Sequence, residues 1–338
     1  MSFPRVAWIS QPNPEPRTNG YNAYMNHEDV GHIPVLLDEV LHLLSPQPGD
    51  RVFDGTLGRG GHAVAIIPRI VGGVYLGMDL DATNLAFARD RLQPLADAHD
   101  VRLVTQQGNF ASASATIDDA KLGHADVLLA DLGFASNQMD ESGRGFSFMG
   151  DGPLDMRLGH DEKEWPEGGY PRGTAAELVN TLAERDLADV IYHFGEERLS
   201  RRIARKIVER RSQFAILRTG ELAEICRRAY GPKAHNSRIH PATRTFQALR
   251  IAVNGELDAL DALLLGLPTL LAPGGRAGII SFHSLEDRPV KQAFLKMQQD
   301  GLAERLTRKP INASDEEIVR NPRSRSAKLR GVRKIKDL

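Results

Sequence analysis

Four short stretches hold the residue types that a reaction centre needs, at spacings a folded site could use. The first runs from Asp54 to His62, with glycines at 55, 58, 60 and 61. Glycines there permit positive φ and let backbone N–H groups approach a ligand closely. The spacing is G-x-x-G-x-G-G. It is not G-x-G-x-x-G, and no lysine follows as a phosphate loop would require. The second is Asp79, 25 residues beyond Asp54, near the offset of a carboxylate that accepts hydrogen bonds from ribose hydroxyls. Asp81 is a rival for that role, but a helix cap accounts for it. The third is Phe110, placed to lie on an adenine face or simply to pack in a core. These three fit NAD and S-adenosylmethionine equally well.

The fourth stretch, Asp131 to Gln138, separates the two. Methyltransferases that act on amino groups place an acid or amide there, beside the transferable methyl. An exocyclic amine conjugated to its ring has a delocalised lone pair. Hydrogen bonds from its N–H groups to a carboxylate orient it and stabilise its growing positive charge. The alternative is that Asp131 only caps the next segment.

These residues need a scaffold that brings them together. Each follows a strand-like run: 51–54, 73–79, 101–105 and 125–131. The last is apolar without alternation, as in a strand buried on both faces. Helical spacing separates the runs, at 35–44, 63–70 and 82–92. Alternating strands and helices predict a parallel, doubly wound sheet, whose ligands bind at the carboxyl ends of the strands. From 140 to 235 the alternation stops. Helical periods follow one another at 175–182, 187–194, 198–211 and 219–230. Leu199, Ile203 and Ile207 make one apolar stripe, and Arg198, Arg201, Arg202 and Arg205 lie largely off it. The α/β pattern resumes with a helix over 242–265, a strand over 275–282, a helix over 287–297 and a strand over 327–335. The expected organisation is a tail over 1–30, a catalytic domain of 31–139 and 236–338, and an inserted helical domain of 140–235.

Composition narrows the class. The 338 residues are 41% hydrophobic and 26% charged, which excludes wholesale disorder, a collagen-like chain and a coiled-coil rod. The single cysteine, Cys226, excludes an internal disulfide and a multi-cysteine metal site. It fits a reducing, cytoplasmic compartment. No apolar run is long enough for a membrane span. Net charge is −1, yet bases outnumber acids eleven to five over 196–233 and again over 301–338. Such segments suit a polyanion. His32, His62 and nearby acids match no common metal-ligand spacing, so no metal is expected.

Longer motifs then occur in order: 32–39 (HIPVLLDE), 54–62, 144–157 (RGFSFMGDGPLDMR), 192–198 (YHFGEER), 240–250 (HPATRTFQALR), 281–287 (SFHSLED) and 321–326 (NPRSRS). Together they resemble the bacterial 16S rRNA (cytosine-N4)-methyltransferase family, over about 32–335. The resemblance implies an α/β, Rossmann-like, S-adenosylmethionine-dependent methyltransferase with an inserted all-helical domain. The acceptor would be a cytidine of the decoding region of 16S rRNA, as naked RNA or within the small ribosomal subunit; the helical insert and the two basic segments favour the assembled subunit. The family's cofactor positions fall on Gly60, Gly61, His62, Asp79, Phe110, Asp131 and Gln138. Asp131 is the expected catalytic residue. Arg144, Phe146, Arg157, His240, Arg244, His283, Arg323 and Arg325 are expected RNA or target contacts, with Phe148 an alternative to Phe146. The family usually has Val-Ser-Ser-Pro-Gln where this chain has Phe134, Ala135, Ser136, Asn137 and Gln138. An amino methyltransferase for another nucleic acid, an NAD-dependent dehydrogenase and a non-catalytic RNA-binding assembly protein are the rivals. The first more often carries an Asn/Asp-Pro-Pro-aromatic motif after the fourth strand, which is absent here.

Overall fold

The computed structural model describes residues 33–133, 142–159, 173–236 and 239–336. The expected tail and Gln138 lie outside the described residues. In chain order come α1 (Leu37–Leu44), β1 (Arg51–Asp54), α2 (Gly61–Ile66), β2 (Val74–Asp79), α3 (Ala82–Ala98), β3 (Arg102–Gln107), α4 (Ala113–Asp119) and β4 (Ala125–Asp131). Four helices follow: α5 (Ala175–Thr181), α6 (Glu184–Gly195), α7 (Ser200–Arg211) and α8 (Thr219–Tyr230). The chain continues with α9 (Thr243–Asn254), α10 (Glu256–Leu270), β5 (Leu271–Ser281), α11 (Ser284–Gln299), β6 (Ala303–Arg305), α12 (Asp315–Arg320) and β7 (Lys328–Lys334).

The sheet has seven strands in the order β3-β2-β1-β4-β5-β7-β6. The strands from β3 through β5 are parallel, and β7 runs antiparallel to both β5 and β6. Successive strand residues feed opposite faces, as the pleat requires. Val52, Tyr75, Val127 and Leu129 pack with α1, α2 and α3. Phe53, Leu76, Leu128 and Ala130 pack with α4, α10 and α11. This is the doubly wound Rossmann-like fold expected from the alternation. Strand order reverses between β1 and β4, so the ligand crevice belongs at their carboxyl ends.

The helical block has its own apolar core. Ile203 and Ile207 are fully buried and Leu199 packs against them, while Arg198, Arg201, Arg202 and Arg205 face outward. A reciprocal cap starts α5: the Thr174 hydroxyl accepts from the Glu177 N–H, and the Glu177 carboxylate accepts from the Thr174 N–H at 2.7 Å. The same core takes in Phe246, Leu249 and Val253 of α9.

The single helix expected over 242–265 is two helices. Gly255 adopts φ +58 and ends α9. Just before the break, the Asn254 side chain holds a second segment. Its Oδ1 accepts from the Leu158 N–H at 2.8 Å, and its Nδ2 donates to the Met156 carbonyl at 2.8 Å. The segment after the 144–157 motif is thereby sewn to the start of α10. Sequence periodicity also missed α4, α12 and β6, which are seven, six and three residues long. No helix among the described residues is long and apolar enough to cross a membrane.

Asn254 is 3% exposed, so truncating it strands a buried N–H and a buried carbonyl. Asn254→Ala is expected to cost about 2–3 kcal/mol, read as a lowered urea midpoint at unchanged slope. A loss under about 0.5 kcal/mol would mean that water replaces the amide.

Candidate active site

An open cleft with about 1260 Å³ of empty space runs along the carboxyl ends of the parallel strands. Its lining includes Gly55 to Gly58 after β1, Asp79 after β2, Gly108 to Phe110 after β3 and Asp131 to Gly133 after β4. Strand ends far apart in sequence thus meet, as the doubly wound topology demands.

The loop after β1 is held by its own acids and hydroxyls. Asp54 accepts from the Tyr75 hydroxyl at 2.7 Å and from the Thr56 N–H at 3.0 Å. Burial nonetheless pushes its carboxyl up to about 6. The Thr56 hydroxyl accepts from the Asp131 N–H at 2.6 Å, joining β1 to β4. Asp79 takes the Gly58 N–H at 2.7 Å on one oxygen and the Asp81 N–H at 2.8 Å on the other. Each oxygen keeps a second lone pair for a hydroxyl in the cleft. Burial pushes Asp79 up to about 6, against those two N–H bonds and with help from Asp81 and Asp54. Asp81 itself caps α3 through the Thr83 and Asn84 N–H groups.

The glycines divide by role. Gly61 lines the cleft, and a Cβ there would lie 3.3 Å from Pro34. Gly60 does not line it; a Cβ there would lie 3.0 Å from Leu92 of α3, so its bareness serves packing. His62 lines the cleft but uses Nε2 on the Val35 carbonyl at 3.0 Å, pinning residues 33–36 across the glycine loop. Its Nδ1 lies 4.0 Å from Asp131 Oδ2. Phe110 lines the cleft and packs against Gly55, where a Cβ would come within 3.0 Å.

Asp131 is the exceptional group. Its Oδ1 is buried and has no hydrogen-bond partner among the described residues. Burial pushes its pKa well above the carboxylate range, and the charges of Asp54 and Glu286 push it further. A cation in the cleft would reverse this and favour the ionised form. Glu286 goes the other way. Burial raises it, but His283, Arg250 and the Phe282 N–H outweigh that and hold it below its usual value.

The expected target contacts scatter. Arg144 bonds Asp81 at 2.9 Å and the Leu158 carbonyl at 2.8 Å, and is committed to structure. Arg157 makes a two-pronged pair with Asp155 at 2.8 Å for each bond. Phe146 is buried in the helical core, so it offers no stacking face. Phe148 stacks on exposed His240 with ring centroids 4.5 Å apart. Arg244 donates to the Glu196 carbonyl. Arg323 lines the cleft, and Arg325 is exposed without a protein partner among the described residues. His283 lies 3.2 Å from Glu286. Sequence reasoning did not single out Thr56, Phe282 and Asn321, although each lies in one of the motifs, and it missed Asn254 and Glu256, which lie in none and become site residues only when the fold collects them. Glu256, His283 and Glu286 approach one another as metal ligands would, but Glu256 is already bound by Arg250 through two bonds of 2.8 Å.

Residues 29–335 match the model of the MraW methylase family. The chain belongs to that family. Its curated relatives include the ribosomal RNA small subunit methyltransferases H of Synechococcus sp. (strain WH7803) and Sorangium cellulosum (strain So ce56). The first is 48% identical over 309 residues, 90% of this chain and 94% of the relative. The second is 43% identical over 335 residues, 99% of this chain and 98% of the relative. Membership makes the chain a methyltransferase with S-adenosylmethionine as its donor. The cleft fits that donor on two counts: each Asp79 oxygen carries one backbone N–H bond and keeps a lone pair that a ribose hydroxyl would meet, and Asp131 has an orphaned buried oxygen that a sulfonium would complement.

A raised carboxyl pKa means that the folded state binds the proton more tightly. The contribution of Asp79 is therefore full below its ordinary value of 3.8 and is lost as pH rises through about 6. Asp79→Asn removes this dependence. The melting temperature of that variant, relative to the unmodified protein, is expected to climb between about pH 4 and pH 7. A flat difference would deny the raised value.

Proposed function

We propose that this protein methylates the N4 amine of a cytidine in the decoding region of 16S rRNA. The observation that carries the reading is Asp131, a carboxylate with one buried, unpartnered oxygen at the end of β4. The relatives' names, which specify small-subunit rRNA, support the substrate class. Such a substrate places the reaction in the cytoplasm.

When bound, S-adenosylmethionine supplies an electrophilic methyl group. Asp79 would hold the ribose, Phe110 would flank the adenine, and the backbone of Gly55 to Gly58 and of Gly61 would cradle the rest. Gln138 belongs with the methionine part by the family's motif. Asp131 accepts an N–H of the target amine through Oδ1, which orients the nitrogen lone pair and offsets the charge that builds on it. In the ionised form that a cation in the cleft favours, the same carboxylate takes the proton that the methylated amine releases. No cysteine takes part: Cys226 is buried in the helical block and burial pushes its thiol up to about 12.

The helical domain of 140–235 serves substrate recognition in this reading, since Arg198, Arg201 and Arg202 are exposed with no protein partner among the described residues. An insert that carries a separate basic surface suits the assembled small subunit, a large shaped RNA.

The test incubates the protein and labelled S-adenosylmethionine with small subunits lacking the modification, and with naked 16S rRNA in parallel. Digested nucleosides are read by mass, and N4-methylcytidine is the expected product. Asp131→Ala is expected to lower turnover by about 100-fold or more while donor affinity changes only a few-fold. Unchanged turnover in that variant refutes the role.

RNA affinity is expected to fall steeply with salt. Replacing Arg198, Arg201 and Arg202 by Ala should flatten the log–log salt slope by about 1 for each phosphate deprived of its arginine. An unaltered slope would remove α7 from the interface.

A further inference from the structure

The donor motifs account for only part of the cleft. The glycine loop, Asp79 and Phe110 follow β1, β2 and β3. Phe282, Asn321 and Arg323 also line the cleft, but they come from the neighbourhood of β5 and β7, on the other side of β4. We propose that this arm is the pocket for the acceptor nucleotide, with Phe282 the face on which the flipped pyrimidine stacks and Arg323 the cation that meets its phosphate. The assignment rests on the reading of the chain as a cytidine methyltransferase.

The position of Phe282 argues for it first. The Leu132 N–H donates to the Ile280 carbonyl at 2.9 Å, so the segments leaving β4 and β5 run side by side. The Phe282 ring therefore lies beside the backbone that carries Asp131. Gly133, at φ +107, lies against the ring: a Cβ there would be 3.6 Å from Phe282 Cδ2, in ordinary contact with it. The Phe282 N–H donates to buried Glu286 at 2.7 Å, which locks the segment. The ring is only partly buried, and its open portion looks into the cleft. A base taken out of its stack needs an aromatic or apolar surface to replace its lost neighbours. Phe282 is an aromatic of the lining on the β5 side of Asp131, whereas Phe146 is sunk in the helical core.

Charge argues second. Asp79, Asp131 and Glu286 line the cleft beside Glu256, which is paired with Arg250, and among its described lining residues Arg323 is the one arginine or lysine. Such walls attract a cationic donor but repel a nucleotide's phosphate. A polyanion entering them needs a countercharge at the mouth, and exposed Arg323 supplies it. Its loop is anchored by Asn321, whose Nδ2 donates to the Ile33 carbonyl at 3.0 Å. That bond also ties down the 33–36 segment, so Ile33 and Val35 close the cleft from above the glycine loop. The 32–39, 281–287 and 321–326 motifs thus meet in one wall, although nearly the whole chain separates them.

The experiment measures kcat and KM on small subunits for Phe282→Ala, Phe282→Tyr and Arg323→Ala, with donor affinity measured separately by calorimetry. Phe282→Ala is expected to lower kcat/KM by about 30-fold or more, with donor affinity within about threefold of the original. Phe282→Tyr, which keeps the ring, should recover most of that loss. Arg323→Ala should raise KM about tenfold, leave kcat within about threefold, and flatten the salt slope by about 1. Normal kcat/KM in both Ala variants overturns the pocket. So does parallel loss of donor affinity in Phe282→Ala, which would put the ring in the donor's arm. Failure of the underlying reading looks different: the unmodified protein would bind the donor yet form no N4-methylcytidine, and the pocket would fall with it.

Discussion

Four carboxylates gathered at one end of a parallel sheet, two of them buried and two partly buried, are the constraint on which this structure turns. Asp54, Asp79, Asp131 and Glu286 reach the same crevice from β1, β2, β4 and the start of α11. Gathering like charges in a low-dielectric space is costly, and each acid meets that cost differently. Asp54 has the Tyr75 hydroxyl and Asp79 has two backbone N–H groups. Glu286 has His283 and the Phe282 N–H. Asp131 Oδ1 has nothing among the described residues. The site is therefore pre-organised for a cation and for N–H donors, which arrive only with the ligands.

The remaining architecture keeps those acids in place. The switch in strand order between β1 and β4 opens the crevice, and the Thr56 bond to the Asp131 N–H ties its two sides. The helical block is then fastened to the sheet by polar ties. Arg144 reaches Asp81, and Glu196 binds the Ser284 hydroxyl at 2.7 Å. Each tie ends on a segment that adjoins the cleft. The helical block is thus positioned by the same loops that build the site.

Several residues changed meaning between sequence and structure. Arg144, Arg157 and Arg244 have the right type for RNA contacts, yet each is spent on a partner within the protein. Phe146 has the right type for stacking and is buried. Gly60 looks like a ligand-contacting glycine and instead makes room for Leu92. A residue's type states what it can bond, and the fold decides which partner is nearer. Phe282 shows the reverse case: an ordinary core-forming residue in the sequence, placed at the cleft wall by the register of β5 on β4.

The sequence alone determined the alternation of strands and helices, the break into a helical block, and the presence of Asp54, Asp79, Phe110 and Asp131 at strand ends. These are local properties, written in periodicity and in short motifs that need few neighbours to be read. Tertiary structure alone decided which cations pair with an acid of the protein, that residues 33–36 and 321–323 join across the cleft, and that the oxygen of Asp131 is left without a partner among the described residues. Pairing, burial and the resulting pKa shifts depend on what each group meets after the chain closes on itself. That information belongs to distances between residues far apart in sequence, and no local pattern contains it.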